Sequence, residues 1–366
     1  MTASTTPIPP AHSALNQGAP VSAIHRWASE APILFVAFAM FAVCTVILAF
    51  KGVYPTIDGV LVNAQLFGMF VLLIAAFDAG IQLFRHRPDS PTAFLTTRYT
   101  SPPARATMAA GAPMLAVAIL LLPFFSKMKA AIPLFTDYTW DDTFVAWDRA
   151  IFFGYDAWEV LQPLIGFPIV TAFLALLYQL WFLLLYPGVM FFAFARVDHD
   201  VRRQFFLTYF LSWTLIGGAM ATWLASVGPC FVGPMLGDPR FDDQMAYLNG
   251  ANEQIPIMTL PVQEMLLEWF AAAENGLGSG ITAMPSMHCA IAFLYWIAMR
   301  RISPRWGAFF GVFFFVTWVS SVHLAYHYAV DGLVSLVAVI ALWKATGWTI
   351  AAWDAWLERR RADANA

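Results

Sequence analysis

Apolar runs dominate the chain. Eight stretches are long and apolar enough to suggest membrane-crossing helices, at about 31–50, 59–84, 108–126, 167–195, 204–226, 286–300, 306–326 and 328–350, since a crossing helix needs about 20 apolar residues. The sixth is short, and the fourth contains Pro187, which predicts a kink or tilt. Read as two spans instead of one, the fourth run would invert everything after it. Residues 1–30 are rich in Pro, Ala and Ser and predict a disordered cytoplasmic start, followed by an uncleaved signal anchor. The pattern as a whole predicts an all-α, polytopic integral membrane helical bundle of about eight transmembrane helices.

Two of the polar gaps are long. Residues 127–166 mix Trp, Phe and Asp at spacings that suit an interfacial helix. Residues 227–285 open on "VGPCFVGP", contain the amphipathic stretch "VQEMLLEWFAAA" and close on "NGLGSGITAMP". Loops of this size usually have a function. Three N-terminal helices at 31–126, a unit at 127–350 and a basic tail at 351–366 make up the expected organisation.

Composition agrees: 60% of residues are hydrophobic, 12% are charged and the mean hydropathy is +0.65, against roughly half apolar and a quarter charged in soluble domains. A net charge of −3 gives no reason to expect a nucleic-acid partner. Cys44, Cys230 and Cys289 are scattered and predict neither disulfides nor a thiolate metal site. With eight spans and a cytoplasmic N-terminus, the Arg-bearing segments all fall on one side. These carry Arg85, Arg87, Arg98 and Arg105, then Arg196, Arg202 and Arg203, then Arg300, Arg301 and Arg305, then Arg359, Arg360 and Arg361. The opposite segments are poor in Lys and Arg and rich in Asp and Glu. The carboxylates Asp137, Asp141, Asp142, Asp148 and Asp156 read as solvated loop residues before they read as a divalent-ion site. The protein is expected in a cell inner membrane.

Against this background a few polar residues stand out. "PSMH" places Ser286 and His288 at the non-cytoplasmic start of the sixth run, and "SSVHLAYHYAVDG" places His323, His327 and Asp331 at i, i+4 and i+8. Asp331 sits one turn beyond His327 on the same helix face and can accept a proton from one ring nitrogen. That bond fixes the tautomer and leaves the other nitrogen as a nucleophile or base. An unpaired carboxylate near the start of an apolar span is costly, so Asp331 needs such a partner. The short link between the last two runs returns the chain to the face where His288 lies, so two histidines and an aspartate converge there. Taken singly, PSxH is also an ordinary helix start and HxxxD a helix-end pair. His323 reads either as a partner of this cluster or as an interfacial histidine.

"PSMH" followed by S-S-x5-H-x3-D resembles the second and third signature motifs of the type 2 phosphatidic acid phosphatase superfamily, with Ser320, Ser321, His327 and Asp331 at matching spacing. The resemblance implies a phosphatidic acid phosphatase-like helical core, catalytic His288, His327 and Asp331, and a phosphohistidine formed on His327. Under it, Asp331 orients the nucleophile, His288 protonates the leaving oxygen, Ser286 helps hold phosphate oxygens, and neither metal nor other cofactor is needed. Two features depart from the pattern. The first motif, K-x6-R-P, is absent, since neither Lys127 nor Lys129 is followed by Arg-Pro at the required distance. Ser321 stands where the third motif carries Arg. This deficit, with "WDRAIFFGYDAWEVLQP" and the Gly-Pro pairs, is similar to the inositolphosphotransferase and inositol phosphorylceramide synthase subgroup. Arg240, and after it Arg149, are the outer cations available to replace the lost clamp, and Arg240 and His323 join Ser286 as candidate substrate contacts. The expected activity is lipid phosphotransfer on a partner in the bilayer, with a lipid or polyprenyl phosphate phosphatase as the alternative. A non-enzymatic protein with a relic triad, or with a His-Asp metal site built from His288, His323, His327 and Asp331, is a third reading.

Overall fold

The computed structural model describes residues 23–54, 57–195, 197–272 and 276–365. Most of the N-terminal segment expected to be disordered, together with Arg196 and Glu274, lies outside them. The described elements are α1 (Ala23–Ala49), α2 (Ile57–His86), α3 (Pro91–Thr100), α4 (Pro102–Ala130), α5 (Asp141–Ile151), α6 (Ala157–Ile165), α7 (Pro168–Phe194) and α8 (His199–Leu211). After a π-helical stretch, Ser212–Met220, come α9 (Ala221–Trp223), α10 (Pro229–Leu236), α11 (Asp242–Gln254), α12 (Leu260–Ala271), α13 (Met287–Met299), α14 (Pro304–His323) and α15 (Ala329–Asn365). There is no strand among the described residues.

Seven of the helices are long and apolar enough to cross a membrane, and α13 is a shorter apolar helix. All eight expected runs are therefore helical. α13 has 13 residues and is about 20 Å long, less than the roughly 30 Å hydrocarbon core. It is buried on nearly all sides, with Ala290, Ile291, Ala292 and Leu294 fully enclosed, as befits a helix that is hydrophobic all round. Its N-terminus is thus recessed inside the bundle.

The run with Pro187 is one helix, Pro168–Phe194, so no inversion occurs. α1 begins at Ala23, upstream of the expected span, because its first turns are anchored: Glu30 is buried in an ion pair with Arg202, and Arg203 donates to the Ser29 carbonyl at 3.1 Å. Arg203 also reaches Asp354 of α15 at 2.5 Å. Two arginines expected in a cytoplasmic loop are in fact buried in the first turns of α8, tying α1 and α15 together. α15 runs for 37 residues, about 55 Å, and carries its basic end well past any bilayer core.

The two long gaps fold into a helical cap. α5, α6, α10, α11 and α12 cover one end of the bundle with their own apolar core, which includes Phe144, Tyr178, Phe231, Phe241, Leu248 and Tyr328. The amphipathic stretch that starts at Val262 supplies most of α12, which ends at Ala271. The main membrane core lies below, around α4, α7, α8, α13 and α14.

Candidate active site

Two helix starts are clasped together beneath the cap. Ser286 is the N-cap of α13, its Oγ accepting from the Cys289 amide at 3.4 Å. The Ser286 amide donates to the Asp331 carbonyl at 3.4 Å, and Ser335 Oγ donates to the carbonyls of Ser286 at 2.9 Å and Asp331 at 2.7 Å. The sixth run and the last run, over 40 positions apart in sequence, are therefore fixed start to start. His288 and His327 lie within electrostatic reach of each other.

His327 Nδ1 pairs with Asp331 Oδ2 at 2.9 Å, and the same oxygen accepts the Tyr328 amide at 3.1 Å. Asp331 is fully buried and its Oδ1 has no hydrogen-bond partner among the described residues. The pairing holds Nδ1 in the donor role and leaves Nε2 as the basic nitrogen. Burial, with the nearby Lys129 charge adding to it and the Ala283 carbonyl opposing it, pushes the His327 imidazole down to about 3. The ring is neutral near pH 7, the form a nucleophile requires.

His288 is boxed by aromatic rings. Tyr178 stacks on it at 4.4 Å between centroids, Trp181 lies at 4.2 Å and Phe182 meets it edge-on at 5.5 Å. Trp181 Nε1 donates to the His288 carbonyl at 3.0 Å. The His288 Nε2 is buried without a partner among the described residues, a costly state that a bound oxygen would relieve. Tyr326 closes the stack, its ring 5.3 Å from Tyr178 and its hydroxyl bonded to the Thr259 carbonyl at 3.1 Å.

Buried carboxylates position the turn that carries His327. Asp148 accepts the first amides of α15, Ala329 at 2.8 Å and Val330 at 2.9 Å, a charge placed where the helix dipole favours it. Burial nevertheless pushes the Asp148 carboxyl up to about 7. Asp141 accepts the amides of Val227 and Gly228 at about 3.0 Å and the Tyr328 hydroxyl at 2.7 Å. Asp156 joins Arg149 at 2.8 Å and forms a capping box with Glu159 on α6. The expectation of solvated loop carboxylates is corrected for Asp141, Asp148 and Asp156, which are 5%, 3% and 6% exposed. Burial is tolerable because backbone amides or an arginine satisfy each of them. Gly228 must be glycine. Its φ is +90°, and a Cβ would stand 2.7 Å from the Tyr326 carbonyl oxygen.

The remaining sequence candidates separate. His323 is buried with Nε2 2.8 Å from Thr171 Oγ1 and its ring beside Tyr247. Arg240 is engaged by Asp142 at 2.7 Å and Asp238 at 2.6 Å, and Arg149 by Asp156. The cation that reaches the histidines is Lys129, the penultimate residue of α4, which acts electrostatically on both His288 and His327. It is half-buried and forms no ion pair among the described residues. The 276–285 segment brings it there: a Cβ on Gly280 would lie 2.7 Å from the Lys129 carbonyl carbon, and the Gly278 amide donates to Ser126 Oγ at 2.8 Å. The sequence held one signal for this residue, a lysine pair at the end of an apolar run on a face otherwise short of Lys and Arg.

The family model of the PAP2 superfamily matches residues 142–345, a range that includes both histidine motifs and leaves Lys129 outside. Neither the curated proteins nor the solved structures contain a match to the chain.

Proposed function

Because the chain belongs to the PAP2 superfamily, we propose that it is a membrane-embedded lipid phosphotransferase of the inositolphosphotransferase type, working through a phosphohistidine. His327 Nε2 attacks phosphorus, and the bond from phosphorus to the leaving oxygen breaks. That oxygen takes a proton from His288, which enters the step as the imidazolium that the bound phosphate's negative charge stabilises. In the second half, an acceptor hydroxyl loses its proton to His288 and attacks, the P–N bond breaks, and His327 returns neutral. Asp331 holds the imidazole in the required tautomer and balances the charge that His327 gains.

The observation that carries this reading is the convergence of the His327–Asp331 pair, the partnerless His288 nitrogen and Lys129. Lys129 supplies the positive charge that the missing first motif and Ser321 withhold, and a transferring phosphoryl group requires such a charge. Ser286 and the open amides of α13 offer further donors to phosphate oxygens.

An alcohol acceptor, in preference to water, is supported by the enclosure of His288 under Tyr178, Trp181, Phe182 and Tyr326. A phosphoenzyme shielded in this way survives until an acceptor enters. The positive-inside pattern supports a site on the non-cytoplasmic face.

Purified protein, a panel of labelled phospholipid donors, and water or polyol and lipid alcohols as acceptors provide the test. A labelled phosphodiester that forms only with an alcohol and depends on His327 is the expected result. Inorganic phosphate released at the same rate with and without alcohol makes the enzyme a lipid phosphatase. Turnover indifferent to His327→Ala removes the enzymatic reading.

A further inference from the structure

Away from the histidines, a groove of about 630 Å³ lies between the outer half of α1 and the π-helical stretch of the fifth long helix. Val36, Val43 and Ile47 form one wall, Leu215 and Ala219 the other, and Met128 also lines the groove. The α1 wall runs from Phe35 to Leu48, about 20 Å, which exceeds the depth of one leaflet of a 30 Å core.

The groove offers nothing to a polar ligand. Its hydroxyls are already committed within their own helix: Thr214 Oγ1 donates to the Phe210 carbonyl at 3.1 Å and Thr222 Oγ1 to the Gly218 carbonyl at 2.8 Å. Trp223, at the outer end of the groove, stands 72% exposed, and tryptophan favours the level of the lipid head groups. The groove therefore has a hydrocarbon body and an interfacial mouth.

That mouth adjoins the candidate site. Met128 precedes Lys129, whose charge reaches both histidines. Gly218 lines the groove, and a Cβ there would meet Met128 Cε at 2.3 Å. Its neighbour Gly217 faces the other way, with a Cβ position 2.9 Å from the sulfur of Met287, the residue before His288. Two adjacent glycines in a π-helix, a form often found at functional sites, thus back onto the groove on one side and onto Phe125 and Met287, next to the histidine motif, on the other.

We infer that this groove holds one long hydrocarbon chain of the lipid phosphate whose head group lies at Lys129, His288 and His327. The inference rests on the reading of that cluster as a lipid phosphate centre and adds how the lipid is held. α1 and Met128 fall outside the residues that the family model matches, so one wall of this specificity element is contributed by the N-terminal helices of this chain.

The probe is phosphatidic acid with a diazirine near the end of one acyl chain, photolysed with the protein in nanodiscs and mapped by mass spectrometry. Label is expected on 35–48 and 214–223. Ala219→Trp, at an exposed groove position, is expected to reduce that label at least fivefold, roughly the cost of filling a fitted apolar site. The same variant lowers the ratio of turnover on long-chain over dihexanoyl phosphatidic acid by about tenfold, the scale of apolar pocket discrimination. Leu72→Trp on the exposed face of α2 leaves the ratio unchanged.

Label spread equally over α2 and the groove, or a crosslink showing a second copy of the chain in the groove, overturns the inference. The two readings fail separately. Turnover that depends on His327 with an unlabelled groove refutes the groove alone. A groove labelled in a protein that turns over no lipid phosphate refutes the function alone.

Discussion

At the scale of residues, the chemistry depends on how two imidazoles are treated differently. His327 has a carboxylate on Nδ1 and a cation nearby, while His288 has aromatic walls and a free buried nitrogen. His327→Ala should reduce turnover at least about 10³-fold, as loss of a nucleophile does. His288→Ala should cost about 10²–10⁴-fold on an alkyl phosphate, as loss of a general acid does. With a nitrophenyl leaving group, which departs without a proton, the His288 variant should still form the phosphoenzyme, and a rapid-quench burst measures it. Lys129→Met should lower kcat/KM by about 10²–10³-fold, the worth of a charge aimed at a transferring group, with Lys129→Arg recovering part of the loss. His327 also carries a pH prediction. Its folded value of about 3 lies below the ordinary 6.5, so between the two the unfolded chain binds the extra proton and stability rises with pH across that window. Nitrogen NMR of labelled histidine should show a neutral His327 ring from pH 8 down to 5, and a transition near 6.5 would contradict its burial.

At the scale of elements, the starts of α13 and α15 must stay in register, and residues far from the phosphate hold them. Asp148→Ala leaves the Ala329 and Val330 amides buried without acceptors. It should destabilise the protein by about 2–6 kcal/mol at 1–3 kcal/mol per orphaned group, read as a lowered Tm in detergent. Asp148→Asn, which keeps one acceptor oxygen, should recover part of that. The local half of this arrangement was legible in sequence. His327 and Asp331 sit one turn apart, and that spacing alone predicts their bond. The supports were not. Asp141 and Asp148 look like loop carboxylates because what buries them is the cap, whose Val227, Gly228 and Ala329 amides come from remote segments. Lys129 is hidden for the same reason. Nothing near it in sequence announces that the Gly278–Gly280 segment packs across the end of α4. Arg240 drew attention because it is an arginine on the correct face, and only the structure shows it held by Asp142 and Asp238.

At the scale of the whole molecule, the short α13 among longer spans sets the depth of the chemistry. A helix of 13 residues inside a bundle built for a 30 Å core places His288 below the surface. The helical cap then covers it. Hydrophobic runs predicted nearly all of the spans, because the bilayer imposes a length and an apolarity that sequence displays directly. The cap was read only in part, since α10 and α11 are held by tertiary contacts that no periodicity encodes. The central claim is a phosphohistidine on His327, and trapping it is the most direct test. Lipid donor labelled at phosphorus is mixed with the protein without acceptor, quenched in base and mapped by mass spectrometry. Acid-labile phosphate on His327, absent from His327→Ala and present in His288→Ala given a nitrophenyl leaving group, is the result expected. Full lipid turnover with no such adduct, or with the label on another residue, would contradict the account.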